Sequence, residues 1–501
     1  MTRPNLYGMS RAELESLLAA QGAPRYHGDQ VFRWLYARRR FDRIAEVTES
    51  LDVSSDGPGA YVQPGRQVPP RPIAARLQHC EQLKQARRCL PHNCQSGSNR
   101  GTKSSAIVSS VSGMTPATAP QPFQIAITDS ELDNLQRRLD ATRWPEPPPD
   151  ARTDFERGVP LAYLQELTDY WRHKFDWRAQ EARLNQIPQF TTEIDGQQIH
   201  YLHVRSPEPN ALPLLISHGY PSSVVEFYDL IGPLSDPRSH GGDPRDAFDL
   251  VIPSLPGFGF STPVRQTGWE LGRTTAAFAE LMAQLGYSRY GAHGGDIGAG
   301  VSGRLGAVDA AHVVGTIVIT DPGALGLAGE QFPIPDHLTE EERARVEQER
   351  TTWRAERGYL DLQGHRPETI GAALTDSPVG QLAWIVEKFQ TWTNPAAKTP
   401  DEAVDRDQLL TNVSLYWFTR SGASAARFLS EAEHSDLDWV APAGVPSGWV
   451  VFNAEPIMRR FMDPQHQMAY WNEHQEGGHF AAMEEPALLA EDIRAFFRTL
   501  R

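Results

Sequence analysis

The sequence predicts an α/β fold: a mostly parallel sheet with helices on both faces, interrupted by a helical insertion ahead of its last strands. Three observations carry this. Short strand-like runs at 212–217, 249–253, 290–293 and 313–320 alternate with helical periodicity at 274–285 and 297–307, the signature of strands joined by helical crossovers. After about residue 331 the strand pattern lapses for some hundred residues of helical character. It then resumes at 449–452 and 468–471, before a last helix over 484–500 whose Leu488, Ile493, Phe496 and Phe497 supply its apolar face.

Upstream of the alternating core, Ile127-Thr128-Asp129 leads into a helix striped by Leu132, Leu135 and Leu139, and Leu164, Leu167 and Trp171 form a second stripe. Asp195-Gly196 between apolar runs at 190–194 and 199–204 predicts a hairpin with a tight turn. Near the start, Ser10 and Glu13 form a capping-box pattern opening a helix over 10–21, and Val31, Trp34 and Leu35 stripe a second one. Between about 49 and 121 the chain is rich in Pro, Gly, Ser and Arg without periodicity and reads as a disordered linker. The organisation expected is a small helical leader over 1–48, a linker over 49–121, an N-terminal region over 122–208, core over 209–330, helical cap over 331–430 and core again over 431–501.

Charge separates leader from body. Residues 1–103 carry a net +7 and the remainder −22, so the body repels phosphate backbones and no nucleic-acid partner is expected for it. No apolar run approaches the ~20 residues needed to span a bilayer, and the polar N-terminus is no signal peptide, so a cytoplasmic protein without a membrane span is expected. Cys80, Cys89 and Cys94 offer neither a disulfide framework nor a repeated CxxC metal site.

Three elements carry chemistry. Gly294-Gly295-Asp296-Ile297-Gly298 lies between a strand and a helix in the G-x-D-x-G pattern of a nucleophile elbow, with Asp where esterases have Ser. A Gly-rich dinucleotide loop competes for the same residues, but no Tyr-xxx-Lys pair follows to complete a dehydrogenase. His218-Gly219-Tyr220-Pro221 ends the strand at 212–217, where the Tyr220 N–H can join that of Ile297 as an oxyanion hole. His479, in Gly477-Gly478-His479-Phe480, follows the last strand, and Glu455 follows the strand at 449–452. The chain order nucleophile, acid, base then gives Asp296, Glu455 and His479; Asp463 and Glu473 are rival acids, His466 and His474 rival bases.

With these in place, the sequence from Pro122 to Arg501 resembles the epoxide hydrolases of the microsomal and juvenile-hormone type. Phe175-Asp176-Trp177-Arg178, Pro188-Gln189-Phe190, Pro253-Ser254-Leu255-Pro256-Gly257-Phe258-Gly259, Asp376-Ser377-Pro378-Val379-Gly380, Glu387-Lys388-Phe389 and Gly477-Gly478-His479-Phe480-Ala481-Ala482 carry the resemblance in order. It implies an α/β-hydrolase fold with an N-terminal epoxide-hydrolase meander and a helical cap, and conversion of a small apolar epoxide and water to a diol through an ester on Asp296. No metal or organic cofactor enters that scheme, and a homodimer is a candidate assembly. The family also uses two cap tyrosines as proton donors. Tyr359 in Gly358-Tyr359-Leu360 matches the first; the second falls at Leu429, with Tyr416 the substitute considered.

A haloalkane dehalogenase also forms an ester on Asp, but normally follows it with Trp, where this chain has Ile297. A decayed hydrolase-fold binding protein is the remaining alternative. Residues 5–48, with Leu6-Tyr7-Gly8 and Gly28 through Tyr36, resemble the N-terminal accessory helices of radical-SAM 23S ribosomal RNA adenine methyltransferases. No CxxxCxxC run follows, and the catalytic body is expected to be complete from Met114.

Overall fold

The computed structural model describes residues 119–150, 154–435 and 444–501; the leader, the linker and Met114 lie outside the described residues. Nine strands form one sheet in the order β1-β2-β3-β5-β4-β6-β7-β8-β9. They are β1 Gln121–Pro122, β2 Gln189–Ile194, β3 Gln197–Val204, β4 Leu212–Ser217, β5 Phe248–Pro253, β6 Tyr290–Gly294, β7 Val313–Thr320, β8 Ser447–Val451 and β9 Tyr470–Glu473. β1 pairs with β2, β2 with β3 and β3 with β5, each pair antiparallel, the expected hairpin turning at Asp195-Gly196. From β5 through β9 every pairing is parallel.

The central strands have little polar surface because both faces are covered: Leu214, Leu215, Ile216, Leu250, Val251 and Ile252 are all fully buried. One side of the sheet packs α17 (Pro486–Arg498), whose Ile493, Phe496 and Phe497 join Leu214, Ile216 and Leu250 in a single apolar cluster. On the other side lie α5 (Leu271–Gln284) and α6 (Ile297–Val308), with Phe278, Leu281, Val301 and Leu305 in a second cluster. The final helix starts later than the periodicity suggests. Ala481–Glu484 forms a short separate turn, Glu485 leaves helical geometry, and Pro486 opens α17 at the position where its missing N–H costs nothing.

Between β7 and β8 the chain builds the expected cap. After α7 (Gly323–Gln331), the helices α8 (Glu340–Glu356), α9 (Gly358–His365), α10 (Pro367–Asp376), α11 (Pro378–Trp392), α12 (Pro400–Ala403), α13 (Arg406–Thr419) and α14 (Ser421–Glu433) follow in order. The N-terminal helices α1 (Asp129–Asp140), α2 (Leu161–His173) and α3 (Trp177–Asn185) dock onto the cap. The buried Trp171 indole donates to Ser414 Oγ at 2.9 Å, and Tyr163 and Tyr170 donate to Asp401 and Asp407. Cap and core therefore share one apolar cluster, which runs from Leu135 and Trp171 through Phe258 to Phe389 and Phe480.

Candidate active site

Asp296 sits at the turn between β6 and α6 with φ 53° and ψ −125°, a backbone conformation that L-residues rarely adopt. The flanking glycines are steric requirements of this turn. A Cβ on Gly298 would lie 1.9 Å from the Ser217 carbonyl oxygen, and one on Gly294 would lie 2.4 Å from the Gly298 backbone. The strained turn lifts the carboxylate to the end of the sheet, where its side chain is 28% exposed.

The loop after β4 meets it there. Tyr220 N–H donates to Asp296 Oδ1 at 2.9 Å. Gly219 allows the approach, because a Cβ there would collide with the Asp296 side chain. His218 fixes the loop from within: buried, it accepts the Leu255 N–H at Nε2 (3.1 Å), and Nδ1 lies 3.0 Å from Gly219 O, to which it can donate. Burial pushes the His218 ring down to about 4, so it stays neutral and keeps this tautomer. Pro221 completes the loop, its carbonyl accepting from the Asn412 amide of α13. Ile297 opens α6, where an N–H has no intrahelical acceptor, directly after Asp296.

His479 arrives from the loop after β9. Gly477 takes φ 70°, and a Cβ on Gly478 would strike the Thr393–Asn394 backbone of the cap. The His479 N–H donates to Trp392 O at 2.8 Å, while Glu484 accepts from Asn394 N and Phe480 N, tying the loop to the end of α11. Nε2 then stands 3.8 Å from Asp296 Oδ2.

The carboxylate bonded to His479 is not that of Glu455. His479 Nδ1 bonds Asp321 Oδ2 at 2.8 Å, whereas Glu455 is gripped by the Arg345 guanidinium of α8, whose Nε donates to Oε2 at 2.8 Å and Nη2 to Oε1. Asp321 directly follows β7, the strand beside β6, so it ends next to the nucleophile; its other oxygen accepts the Gly323 N–H at the start of α7. The rivals are also accounted for. Asp463 accepts from the Gln467 and Met468 N–H groups, Glu473 from the Trp471 indole, and His474 is bonded to Asp492. His466 occupies a positive-φ turn.

Charge around His479 is unusually negative. Burial alone would lower its pKa, but the Asp321 hydrogen bond, then the charges of Asp321, Asp296 and Glu226, push it up to about 9. Glu226, buried in the turn following the Tyr220 loop, is itself raised to about 7 by burial.

Above the nucleophile, Tyr359 of α9 lies with its ring parallel to that of Tyr220, centroids 6.2 Å apart, and edge-on to Trp392 at 5.3 Å. The buried Lys388 ammonium, paired with Glu387 at 2.8 Å, sits 4.4 Å from the Tyr359 ring centroid, and burial, then the charge of Asp296, pushes the Tyr359 phenol well above its ordinary range, so it holds its proton. Tyr416 is no substitute donor: its hydroxyl is spent on Ser222 O at 2.9 Å. Leu429 is packed in the core with no polar atom to offer. A cavity of about 500 Å³ opens over Asp296, His479 and Tyr359 and extends, largely apolar, past Trp353 and Trp392 toward Trp449 and Met468.

A mostly parallel sheet carrying an acid at the elbow, the Tyr220 N–H against it and a histidine–aspartate pair beyond defines an α/β-hydrolase with an aspartate at the nucleophile position. The description of an epoxide hydrolase N terminus matches residues 120–227, and that of the α/β hydrolase fold residues 213–363. The chain belongs to the epoxide hydrolase family. It is 46% identical to a Stigmatella aurantiaca protein described as a candidate epoxide hydrolase, over 76% of this chain and 85% of that one. With epoxide hydrolase 1 of Sus scrofa it shares 34%, over 77% and 91%. Among solved structures, the juvenile hormone epoxide hydrolase of the silkworm Bombyx mori superposes with a TM-score of 0.64 at 29% identity, over 77% of this chain and 94% of that one. The Aspergillus niger epoxide hydrolase gives 0.64 at 30%, over 77% and 97%. Residues 4–51 separately match a ribosomal RNA large subunit methyltransferase N-terminal domain. Among the described residues, no helix is long and apolar enough to cross a membrane.

Proposed function

We propose that this chain hydrolyses an apolar epoxide to a vicinal diol through an ester on Asp296, with His479 as base and Asp321 as the acid that orients it. The observation carrying this is the division of labour between the two Asp296 oxygens. Oδ1 is held by the Tyr220 N–H at 2.9 Å, which leaves Oδ2 to attack. As Oδ2 bonds an epoxide carbon, the ring C–O bond breaks and the departing oxygen takes a proton from Tyr359. A carboxylate suits this task because the resulting ester can be cleaved by water at the protein's own carbonyl; a serine would give an ether that water does not readily cleave.

In the second half, His479 Nε2 removes a proton from water, whose oxygen adds to the Asp296 carbonyl carbon. Negative charge then develops on Oδ1, where the Tyr220 and Ile297 N–H groups meet it; each such donor contributes about 3 kcal/mol in acyl-transfer enzymes. Collapse returns the proton from His479 to the leaving diol oxygen. Esterification also removes the Asp296 charge that helps hold the proton on His479, so the imidazole more readily stands neutral, the form that accepts a proton from water, when the ester needs it. The long apolar cavity fits a hydrocarbon-bearing epoxide, and the acidic body disfavours a nucleic-acid partner for it.

Product analysis tests the reaction class. Styrene oxide is expected to give diol, and a bromoalkane of similar size no bromide, since Ile297 brings no side-chain donor to a departing halide. Bromide release without diol would reverse the assignment.

A further inference from the structure

Ring opening places a full negative charge on one oxygen, and the structure offers a second phenol to meet it. Tyr220 provides its backbone N–H to Asp296, and its side chain rises from the same residue to lie parallel to Tyr359. Its hydroxyl accepts the Trp384 indole N–H at 2.6 Å, with the buried Gln363 side-chain amide beside it, one helical turn after Tyr359. As a donor the Tyr220 hydroxyl has no acceptor within hydrogen-bond distance among the described residues; an N–H fixes its oxygen, and its proton is unassigned. Of the other hydroxyls nearby, that of Tyr416 is committed to Ser222 O, and Leu429 has none.

We propose that the Tyr220 hydroxyl is a second proton donor to the epoxide oxygen, paired with Tyr359 across the parallel rings and activated by the Trp384 N–H. This rests on the reaction proposed above. As Asp296 Oδ2 forms its bond to carbon, the ring C–O pair leaves on oxygen between the two phenols; one proton transfers, the other phenol remains hydrogen-bonded, and the proton lost is recovered from solvent after the diol departs. Burial pushes the Tyr220 phenol well above its ordinary range while the Trp384 and Gln363 groups oppose that rise, so the group stays protonated at neutral pH and has hydrogen-bond support as charge develops on its oxygen. One residue thereby serves both half-reactions: its phenol the ring opening, its backbone N–H the ester hydrolysis.

The two roles separate in single-turnover kinetics, with ester formation and ester hydrolysis followed by mass spectrometry of the Asp296 peptide. General-acid assistance contributes roughly 10²–10⁴-fold, so Tyr220→Phe is expected to slow ester formation about 10–100-fold. Ester hydrolysis should stay within about threefold, because the backbone N–H remains. Trp384→Phe should slow ester formation several-fold through the same hydroxyl. Tyr220→Phe with Tyr359→Phe should fall at least tenfold below either alone. Ester formation by Tyr220→Phe at the parental rate, or equal slowing of both steps as from a disturbed loop, overturns the proposal. Absence of any ester in the parent protein would instead overturn the reaction on which it rests.

Discussion

Asp296→Ala is expected to lower diol formation on the order of a million-fold, the loss seen when a covalent nucleophile is removed from a triad whose other members remain. Substrate binding should persist, since the apolar cavity is lined mainly by other side chains. Thermal unfolding should occur at or above the parental temperature, because the substitution removes an active-site carboxylate placed for reaction rather than for stability. Turnover of styrene oxide, followed by diol formation beside a melting curve, checks both parts. Near-parental diol formation by a folded Asp296→Ala protein would mean that water attacks the epoxide directly.

The second large effect separates two acids. Asp321→Asn should reduce ester hydrolysis by roughly 10³–10⁴-fold, as when the acid of a serine-protease triad is neutralised and the imidazole loses its required orientation. Ester formation does not need that orientation, so the alkylated protein should accumulate and be seen intact by mass spectrometry. The pH dependence should move too. His479 is held up to about 9 against burial chiefly by the Asp321 hydrogen bond and charge, and only its neutral form accepts a proton from water. Hydrolysis in the parent should therefore increase with pH as His479 loses its proton; in Asp321→Asn the weaker residual limb should appear at lower pH. Glu455→Gln should leave the rate within about threefold, since that carboxylate pairs with Arg345, and its stability cost should be below about 1 kcal/mol for a pair about one-third exposed. The reverse ranking would restore Glu455 as the acid.

These residues show where the sequence stops informing. The elbow was legible because its glycines answer to backbone sterics: Gly298 packs against Ser217 O, and no larger residue fits. The loop at His218-Gly219-Tyr220-Pro221 was legible from its place at a strand end, as was His479 from the glycine pair that lets it pass under Thr393 and Asn394. Asp321 was not. Chain order admits any acid between residues 296 and 479, and the choice depends on lateral order in the sheet. β7 lies between β6 and β8, so the residue leaving β7 reaches the nucleophile's histidine, while the one leaving β8 meets Arg345 from the cap. The signal that could have found it was local: Asp321 follows its strand directly, as Asp296 nearly does, and Pro322-Gly323 turns the chain there. The phenol of Tyr220 is hidden from the sequence for a similar reason. The motif assigns that residue a backbone role, and only packing against Tyr359 and Trp384 gives its side chain a second one. The cap was recognisable as a helical insertion, but which of its faces meet the core depends on contacts such as Trp171 to Ser414, made across more than two hundred residues.

The ester on Asp296 is tested most directly by one turnover in ¹⁸O water with protein in excess over epoxide. The mechanism predicts that the label enters the Asp296 carboxylate and that the first diol released is unlabelled, its new oxygen having come from the protein. A labelled first-turnover diol beside an unlabelled Asp296 peptide would contradict it.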